Sequence, residues 1–353
     1  MKKVFSLIIA LSFALLAAAQ PANYYNSANG LTGNQLKVAL HNIIKGHSSI
    51  SYAQIWNAFW STDNKGNGVV WDMYSDRPNG TSPYVYYLGE DQCGNYSGEG
   101  DCYNREHSWP SSWFNDQNTP RTDLHHIFPT DGYVNNRRGN YAFGEVGSAS
   151  WTSRNGSKLG ACKTPGFSGT VFEPIDEYKG DFARAIMYMS VRYFSEDASW
   201  SSSDMTSKSE IKPWAIEMLL RWNELDPVSE KEKERNETIY NDYQHNRNPF
   251  VDHPEYARMI WDPNWSVVEE NSMEVHLFPN PIECGQTLHL SSDRNAFDAV
   301  AICDLCGRTL FKTSGHLAGD FAVTLPDGFA KGCYIVKLMC NGNVLKYEKL
   351  LVK

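Results

Sequence analysis

The chain has 353 residues, 41% of them hydrophobic and 21% charged, which is ordinary globular usage and leaves room for two domains, or one large domain with an appendage. A formal charge of −9 excludes broad electrostatic attraction to DNA or RNA, so any nucleic-acid binding has to use a local basic groove. Aromatic residues reach 13%, a content that serves core packing and stacking on bases or sugars equally well.

The N-terminus reads as a secretory signal: Lys2 and Lys3, an apolar run from Val4 to Leu16 broken only by two serines, and Ala17-Ala18-Ala19 before Gln20, with cleavage expected after Ala19. This segment is short for a membrane span, and no later stretch is long and apolar enough to cross a bilayer. The mature chain is therefore expected outside the cell, without stable membrane insertion. Export makes disulfides the default use of the 8 cysteines. Cys93, Cys102 and Cys162 lie early; Cys284, Cys303, Cys306, Cys333 and Cys340 lie late. The turn-rich Gly94 to Gly100, between Cys93 and Cys102, predicts a small bridged loop. Cys303 and Cys306 have CxxC spacing, but no helix start or nearby His supports a zinc or redox site there.

Leu31 to Gly46 has helical spacing in Leu36, Leu40, Ile43 and Ile44, with Thr32 placed to cap it. Ser51 to Trp60 continues in the same style. Val69 to Tyr74 and Tyr84 to Leu88 read as strands, as do Asp101 to Ser108 and Leu124 to Phe128. Pro129-Thr130-Asp131 starts a helix over Gly132 to Arg138, which Gly139 ends. Gly139 to Gly169 is Gly/Ser-rich and expected to be loop. Phe182 to Phe194 is a strong helix, Pro213 starts another that Pro227 breaks, and Ser229 with Glu232 forms a capping box for a charged third. Met187 and Met189 fit a core better than a cofactor site. Ser266 to Met273 is an acidic linker, and from Glu274 short alternating strands follow at sandwich-like intervals. The expected organisation is a signal at 1–19, a catalytic domain at 20–265, a linker at 266–273 and a β-domain at 274–353.

The densest chemistry lies between Tyr103 and Phe143: YNREHSWPSSWF, then TDLHHIFPTDGYVNNRRGNYAF. On a strand, adjacent Glu106 and His107 point to opposite sides, so one can bind an ion while the other moves a proton. Asn135, on the following helix, can bring an amide oxygen to the same ion. An oxygen-only pair favours Mg²⁺ first, with Ca²⁺ or Mn²⁺ as alternatives, over zinc. Singly, each of these residues is more often structural. A Glu-His pair is commonly just exposed, paired arginines commonly face solvent, and Arg247 and His253 can simply pin a loop.

REHSWP followed by DLHHIFPTDGYVNNRRGN resembles the endonuclease I family of secreted or periplasmic nucleases, within the His-Me finger (ββα-metal) group. KGDFARAIMYM and NRNPFVDHPE extend the resemblance. It implies an α+β fold: a mainly helical nuclease domain with a ββα-metal core, then a small C-terminal all-β Ig-like sandwich. It also implies His107 as general base, Glu106 and Asn135 as ligands of one divalent cation, and Arg138 as the phosphate-stabilising arginine. Arg105, Arg121, Arg137 and Arg247 would supply the basic nucleic-acid surface, with Asp123, His125 and His126 in support. The family's usual DLHN reads DLHH here, so His126 replaces the commoner Asn. LFPNPIECGQTLHL, ICDLCGRTLFK and the KGCYIVKLMCNGNVLKYEKLLVK ending resemble a type IX secretion C-terminal sorting domain, which engages secretion machinery at the outer membrane.

These features imply a secreted monomeric endonuclease cutting DNA, and RNA too, to 5′-phosphate products. The alternatives are an exported non-catalytic nucleic-acid-binding or adhesion protein and a zinc hydrolase.

Overall fold

A computed structural model describes residues 21–262, 275–292, 298–304, 308–314, 320–326, 328–340 and 343–353. The expected signal and linker lie outside these residues, as does Cys306 of the CxxC pair. The chain forms two compact units, Met1–Trp265 and Ser266–Lys353.

In the first unit, α1 (Gly33–Ile44) buries Leu36, Leu40 and Ile44 on one face, and α2 (Ile55–Thr62) buries Ile55, Ala58 and Phe59. Thr32 occupies the N-cap of α1, but its side chain makes no capping bond. The strands expected at Val69 to Tyr74 and Tyr84 to Leu88 do not form; single bridges join Asn64 to Val70 and Val69 to Tyr87. Asp72 turns the chain there. Its carboxylate accepts the Tyr74 amide at 2.8 Å, and its carbonyl accepts the Asp76 amide at 2.8 Å.

A disulfide closes the loop between Cys93 and Cys102. Strand β1 (Tyr103–His107) then pairs antiparallel with β2 (Ile127–Asp131), in a register that sets Asn104 opposite Thr130 and Glu106 opposite Phe128. The connection carries the single turn α3 (Asn118–Arg121) and a 3₁₀ turn at Leu124–His126, so the strand expected from Leu124 begins only at Ile127. The Asp123 side chain caps that turn by accepting the His125 amide at 3.1 Å. Helix α4 (Gly132–Arg138) follows within the expected limits, and Asp131 caps it by accepting the Val134 amide at 2.8 Å.

The segment expected to be loop instead contains β3 (Ala142–Phe143), β4 (Val146–Thr152) and β5 (Lys158–Cys162), which join β6 (Thr170–Glu173) in a sheet of order β3-β6-β5-β4. Backbone pairing, not side-chain alternation, holds these strands. At Gly160 a Cβ would stand 2.1 Å from the Ser148 carbonyl oxygen, so glycine there allows the strands to meet.

Behind this region, α5 (Lys179–Arg192) is buried at every residue and forms the central rod of the unit. After the short hairpin β7 (Thr206–Ser207) and β8 (Glu210–Ile211), α6 (Pro213–Leu225) packs on α5. Helix α7 (Glu230–Thr238) starts from the Ser229–Glu232 capping box. Glu232 also grips Arg184 of α5 through two hydrogen bonds of 2.6 and 2.8 Å, fastening α7 to the core. A π-helical turn (Ile239–Gln244), α8 (Pro249–Asp252) and α9 (Tyr256–Trp261) complete the unit. Met187 and Met189 are fully buried core residues.

The second unit has strands β9 (Val275–Phe278), β10 (Thr287–Ser292), β11 (Ala299–Cys303), β12 (Thr309–Ser314), β13 (Asp320–Thr324), β14 (Gly332–Cys340) and β15 (Asn343–Val352). They form two sheets, β13-β10-β9 and β12-β11-β14-β15. One apolar cluster draws Leu288, Leu290 and Val323 from the first sheet and Val300, Ile302, Val336, Leu338 and Leu350 from the second. Strand β12, with the sequence TLFKTS, lies outside the expected strands; it carries neither strict two-residue alternation nor a continuous apolar run.

Candidate functional site

Strand alternation decides the layout. Asn104 and Glu106 share one face of β1, and Tyr103, Arg105 and His107 share the other. Glu106 is buried at 2% exposure, where its Oε1 accepts the Tyr74 hydroxyl at 2.8 Å and lies 3.3 Å from Arg138 Nη1. Burial raises its carboxyl to about 7, against the opposing pull of Arg138 and the Tyr74 hydroxyl. Helix α4 packs on the same face. There Asn135 Nδ2 donates to Asn104 Oδ1 at 2.7 Å, which ties the first turns of the helix to the strand carrying Glu106. The entry of α4 is closely packed: a Cβ at Gly132 would stand 2.7 Å from the Tyr96 ring, which the Cys93–Cys102 loop presents.

On the other face, the half-buried His107 ring stacks on Tyr52 at 6.0 Å and 19°. Its Nε2 lies 3.1 Å from the carbonyl of Arg121, a pure acceptor, so Nε2 carries the hydrogen and Nδ1 keeps the lone pair. Burial, reinforced by His126, lowers the imidazole to about 3, so it is neutral at physiological pH. Tyr52 also gathers two arginines: the guanidinium carbons of Arg105 and Arg121 lie 3.5 and 4.5 Å from its ring centroid. Neither has a carboxylate partner among the described residues. Two unneutralised cations beside a neutral imidazole favour an anionic visitor.

Asp123, His125 and His126 lie directly behind the site and are all buried. Asp123 accepts hydrogen bonds from the Tyr188 and Tyr193 hydroxyls at 2.8 and 2.9 Å and from Gln244 at 2.9 Å. Burial alone would raise its carboxyl, but the imidazoles of His47, His125 and His126 hold it below the ordinary range. His125 bonds the Asn246 carbonyl at 3.1 Å and His126 the Pro120 carbonyl at 2.7 Å; burial lowers both to about 4. His126 also lies against the His107 ring at 5.4 Å.

Two arginines depart from expectation. Arg138 is 1% exposed, and it donates to the His107 carbonyl at 3.1 Å and the Ser108 carbonyl at 2.6 Å besides facing Glu106. Its guanidinium holds the end of β1 in place and is not presented to solvent. Arg247 is 3% exposed, held by Glu237 and by two bonds of 2.7 and 2.8 Å to Asp252, so it pins its own loop and lines no open surface. Arg137 is exposed on the outer side of α4, where it bonds the Tyr133 hydroxyl at 2.7 Å. Sequence reading missed Asn104, Tyr52 and Tyr74. Asn104 was within reach of the two-residue strand rule; the tyrosines arrive from distant segments and carry no local signal.

The residues fit a hard divalent cation. Glu106 Oε2 and Asn135 Oδ1 have no hydrogen-bond partner among the described residues, and an all-oxygen donor pair suits Mg²⁺, Ca²⁺ or Mn²⁺. No group of three or more His, Cys, Asp or Glu side chains converges as a metal cage among the described residues.

A neutral imidazole, an oxygen donor pair and two unneutralised arginines on a strand–strand–helix unit define the equipment of a nucleic-acid hydrolase. The chain belongs to the Endonuclease I family, whose model it matches over residues 32–255. It is 40% identical to the extracellular ribonuclease of Bacillus amyloliquefaciens over 259 residues, covering 71% of this chain and 82% of that protein. The extracellular ribonuclease of Bacillus subtilis (strain 168) is 39% identical over 264 residues, covering 70% and 84%. A protein named Endonuclease-1, from Buchnera aphidicola subsp. Acyrthosiphon pisum (strain APS), is 28% identical over 131 residues, covering 37% and 44%.

Proposed function

We propose that this chain is a secreted, divalent-metal-dependent endonuclease that hydrolyses phosphodiester bonds of RNA and DNA with little sequence specificity and leaves 5′-phosphate ends. The observation that carries the reading is the 2.7 Å bond from Asn135 to Asn104, which brings the α4 amide to the strand face that bears Glu106, with His107 next along the chain. In this reading β1, β2 and α4 form a His-Me finger unit. The extracellular ribonucleases to which the chain is similar support export and put RNA beside DNA among the substrates to test.

His107 Nδ1 takes the proton of a water as its oxygen attacks phosphorus, while Nε2–H stays bonded to the Arg121 carbonyl and fixes the ring. The P–O3′ bond breaks, O3′ leaves as a 3′-hydroxyl by taking a proton from solvent, and the other product keeps the 5′-phosphate. Arg105 and Arg121, seated on Tyr52, attract the substrate backbone. Glu106 and Asn135 would hold the cation, which supplies counter-charge for the scissile phosphate and the leaving oxygen. Arg138 and Tyr74 keep Glu106 in place. Contacts confined to phosphate and sugar give little sequence preference. The second unit we read as an Ig-like sandwich that serves as a type IX sorting domain.

Incubation of the mature protein with plasmid DNA and with single-stranded RNA, in Mg²⁺ with and without EDTA, tests the activity. EDTA-sensitive cleavage of either substrate is expected. Stable binding without cleavage would instead establish a non-catalytic binding protein, and rescue by Zn²⁺ alone would establish a zinc hydrolase.

A further inference from the structure

One aromatic and cationic cluster takes no part in the chemistry above. On the outer side of α4, Tyr133 and Arg137 stand one turn apart, and the Tyr133 ring lies 6.3 Å from that of Trp151 on β4. The Arg137 guanidinium carbon is 5.1 Å from the Tyr133 centroid and 5.7 Å from that of Trp151. Its Nε and Nη2 both donate to the Tyr133 hydroxyl, at 3.2 and 2.7 Å. The cation thus caps the hydroxyl edge of Tyr133 within reach of both rings, which are tilted 59° to each other. It is solvent-exposed and has no carboxylate partner among the described residues. Trp151 is half-buried against the main core, which keeps the platform rigid, and the preceding Ser148 to Ser150 are exposed and small.

Geometry ties this platform to the site. Asn135 lies between Tyr133 and Arg137 in sequence and on the opposite side of the same short helix, so the two surfaces are about one helix diameter apart, roughly 10 Å. A strand whose phosphate sits at Asn135 can bring a neighbouring base around α4 onto the cluster. The surface offers aromatic rings and a positive charge. Its chemistry suits a nucleobase of any kind, provided that its face is free. In a duplex both faces of each base are already stacked, so a paired strand cannot use it.

We infer that Tyr133, Arg137 and Trp151 form a base-stacking subsite that makes the enzyme favour unpaired nucleic acid over duplex. This rests on the proposed nuclease function. Stacking of one base on such a platform amounts to about 1–3 kcal/mol, or roughly 5- to 150-fold in affinity or kcat/KM.

The test compares kcat/KM on an unpaired RNA oligonucleotide and on the same sequence held in a hairpin duplex, in Mg²⁺. Trp151→Ala should lower the single-strand value at least fivefold more than the duplex value, and Trp151→Phe should restore the preference. In a second experiment, single abasic residues are placed at successive positions flanking the cleaved bond. One position should weaken cleavage by the unaltered enzyme yet have no further effect on Trp151→Ala, the non-additivity of two changes at one contact. Equal losses on both substrates, or an abasic scan without a sensitive position, would overturn the subsite while leaving the nuclease reading standing. If the unaltered protein cleaves neither substrate, the nuclease reading fails and takes the subsite with it.

Discussion

Arg138 Nη1 lies 3.3 Å from Glu106 Oε1, with both side chains almost wholly withdrawn from solvent. The same guanidinium holds the carbonyls of His107 and Ser108. One buried cation therefore orients the acidic residue of the site and fixes the backbone that carries the imidazole. Removing the guanidinium leaves Glu106 and two buried carbonyls without their donor, each unpaired acceptor costing about 1–3 kcal/mol, so Arg138→Ala should destabilise the protein by several kcal/mol. Urea denaturation without metal measures this. A raised KM at unchanged stability would instead return Arg138 to the substrate.

His107→Ala should lower kcat by about 10²–10⁴-fold, the usual range for a lost general base, while substrate binding stays roughly unchanged. Single-turnover rates give the first quantity, and fluorescence anisotropy with a labelled oligonucleotide in Ca²⁺ gives the second. Near-normal turnover would move the base elsewhere.

Asn104 touches the proposed metal site only through Asn135. Outer-sphere partners of this sort commonly change metal affinity by about 10- to 100-fold. Asn104→Ala should therefore raise the Mg²⁺ concentration for half-maximal activity by about tenfold, in the same direction as Glu106→Ala and Asn135→Ala. An unaltered Mg²⁺ requirement in Asn104→Ala would separate the Asn104–Asn135 bond from metal binding.

Burial raises Glu106 from 4.5 to about 7 and Asp72 from 3.8 to about 8. The folded chain thus keeps protons that the unfolded chain has already released. The stability linked to these protons is complete below about pH 4 and lost as pH rises through about 7 and 8. Asp123 works the other way: its contribution is present above its ordinary value of 3.8 and lost in more acidic solution. His107, His125 and His126, lowered to about 3, 4 and 4, oppose this below their ordinary value of 6.5 and are neutral in both states above it. In EDTA, the urea midpoint should therefore fall between pH 7 and pH 8.5, and a midpoint that stays level or climbs over this range would show that Glu106 and Asp72 ionise normally in the fold.

Deleting residues 274–353 should leave phosphodiesterase activity in vitro intact and prevent release from the cell. Activity in the purified deletion protein and its partition between cells and medium check the two halves separately. Lost activity would show that the second unit supports catalysis.

Much of the local architecture was legible in the amino-acid sequence because it depends on contacts only a few residues apart. Asp131 capping α4, Pro213 opening α6 and the Ser229–Glu232 box each act within one helical turn, and strand alternation alone separates Glu106 from His107. Long-range partners decided the rest. Val69 to Leu88 has strand-forming residues, yet Asp72 turns the chain after single bridges; the Gly/Ser-rich 142–173 segment forms a sheet through backbone pairing that side-chain pattern does not announce. Arg138 and Arg247 look like surface cations until Glu106, Asp252 and Glu237 arrive from other parts of the fold to enclose them. Tyr52 and Tyr74 join the site only through packing across dozens of residues. The motif thus specified the candidate groups, while tertiary packing decided which of them stay exposed and which are enclosed, because burial and charge pairing are properties of neighbours in space.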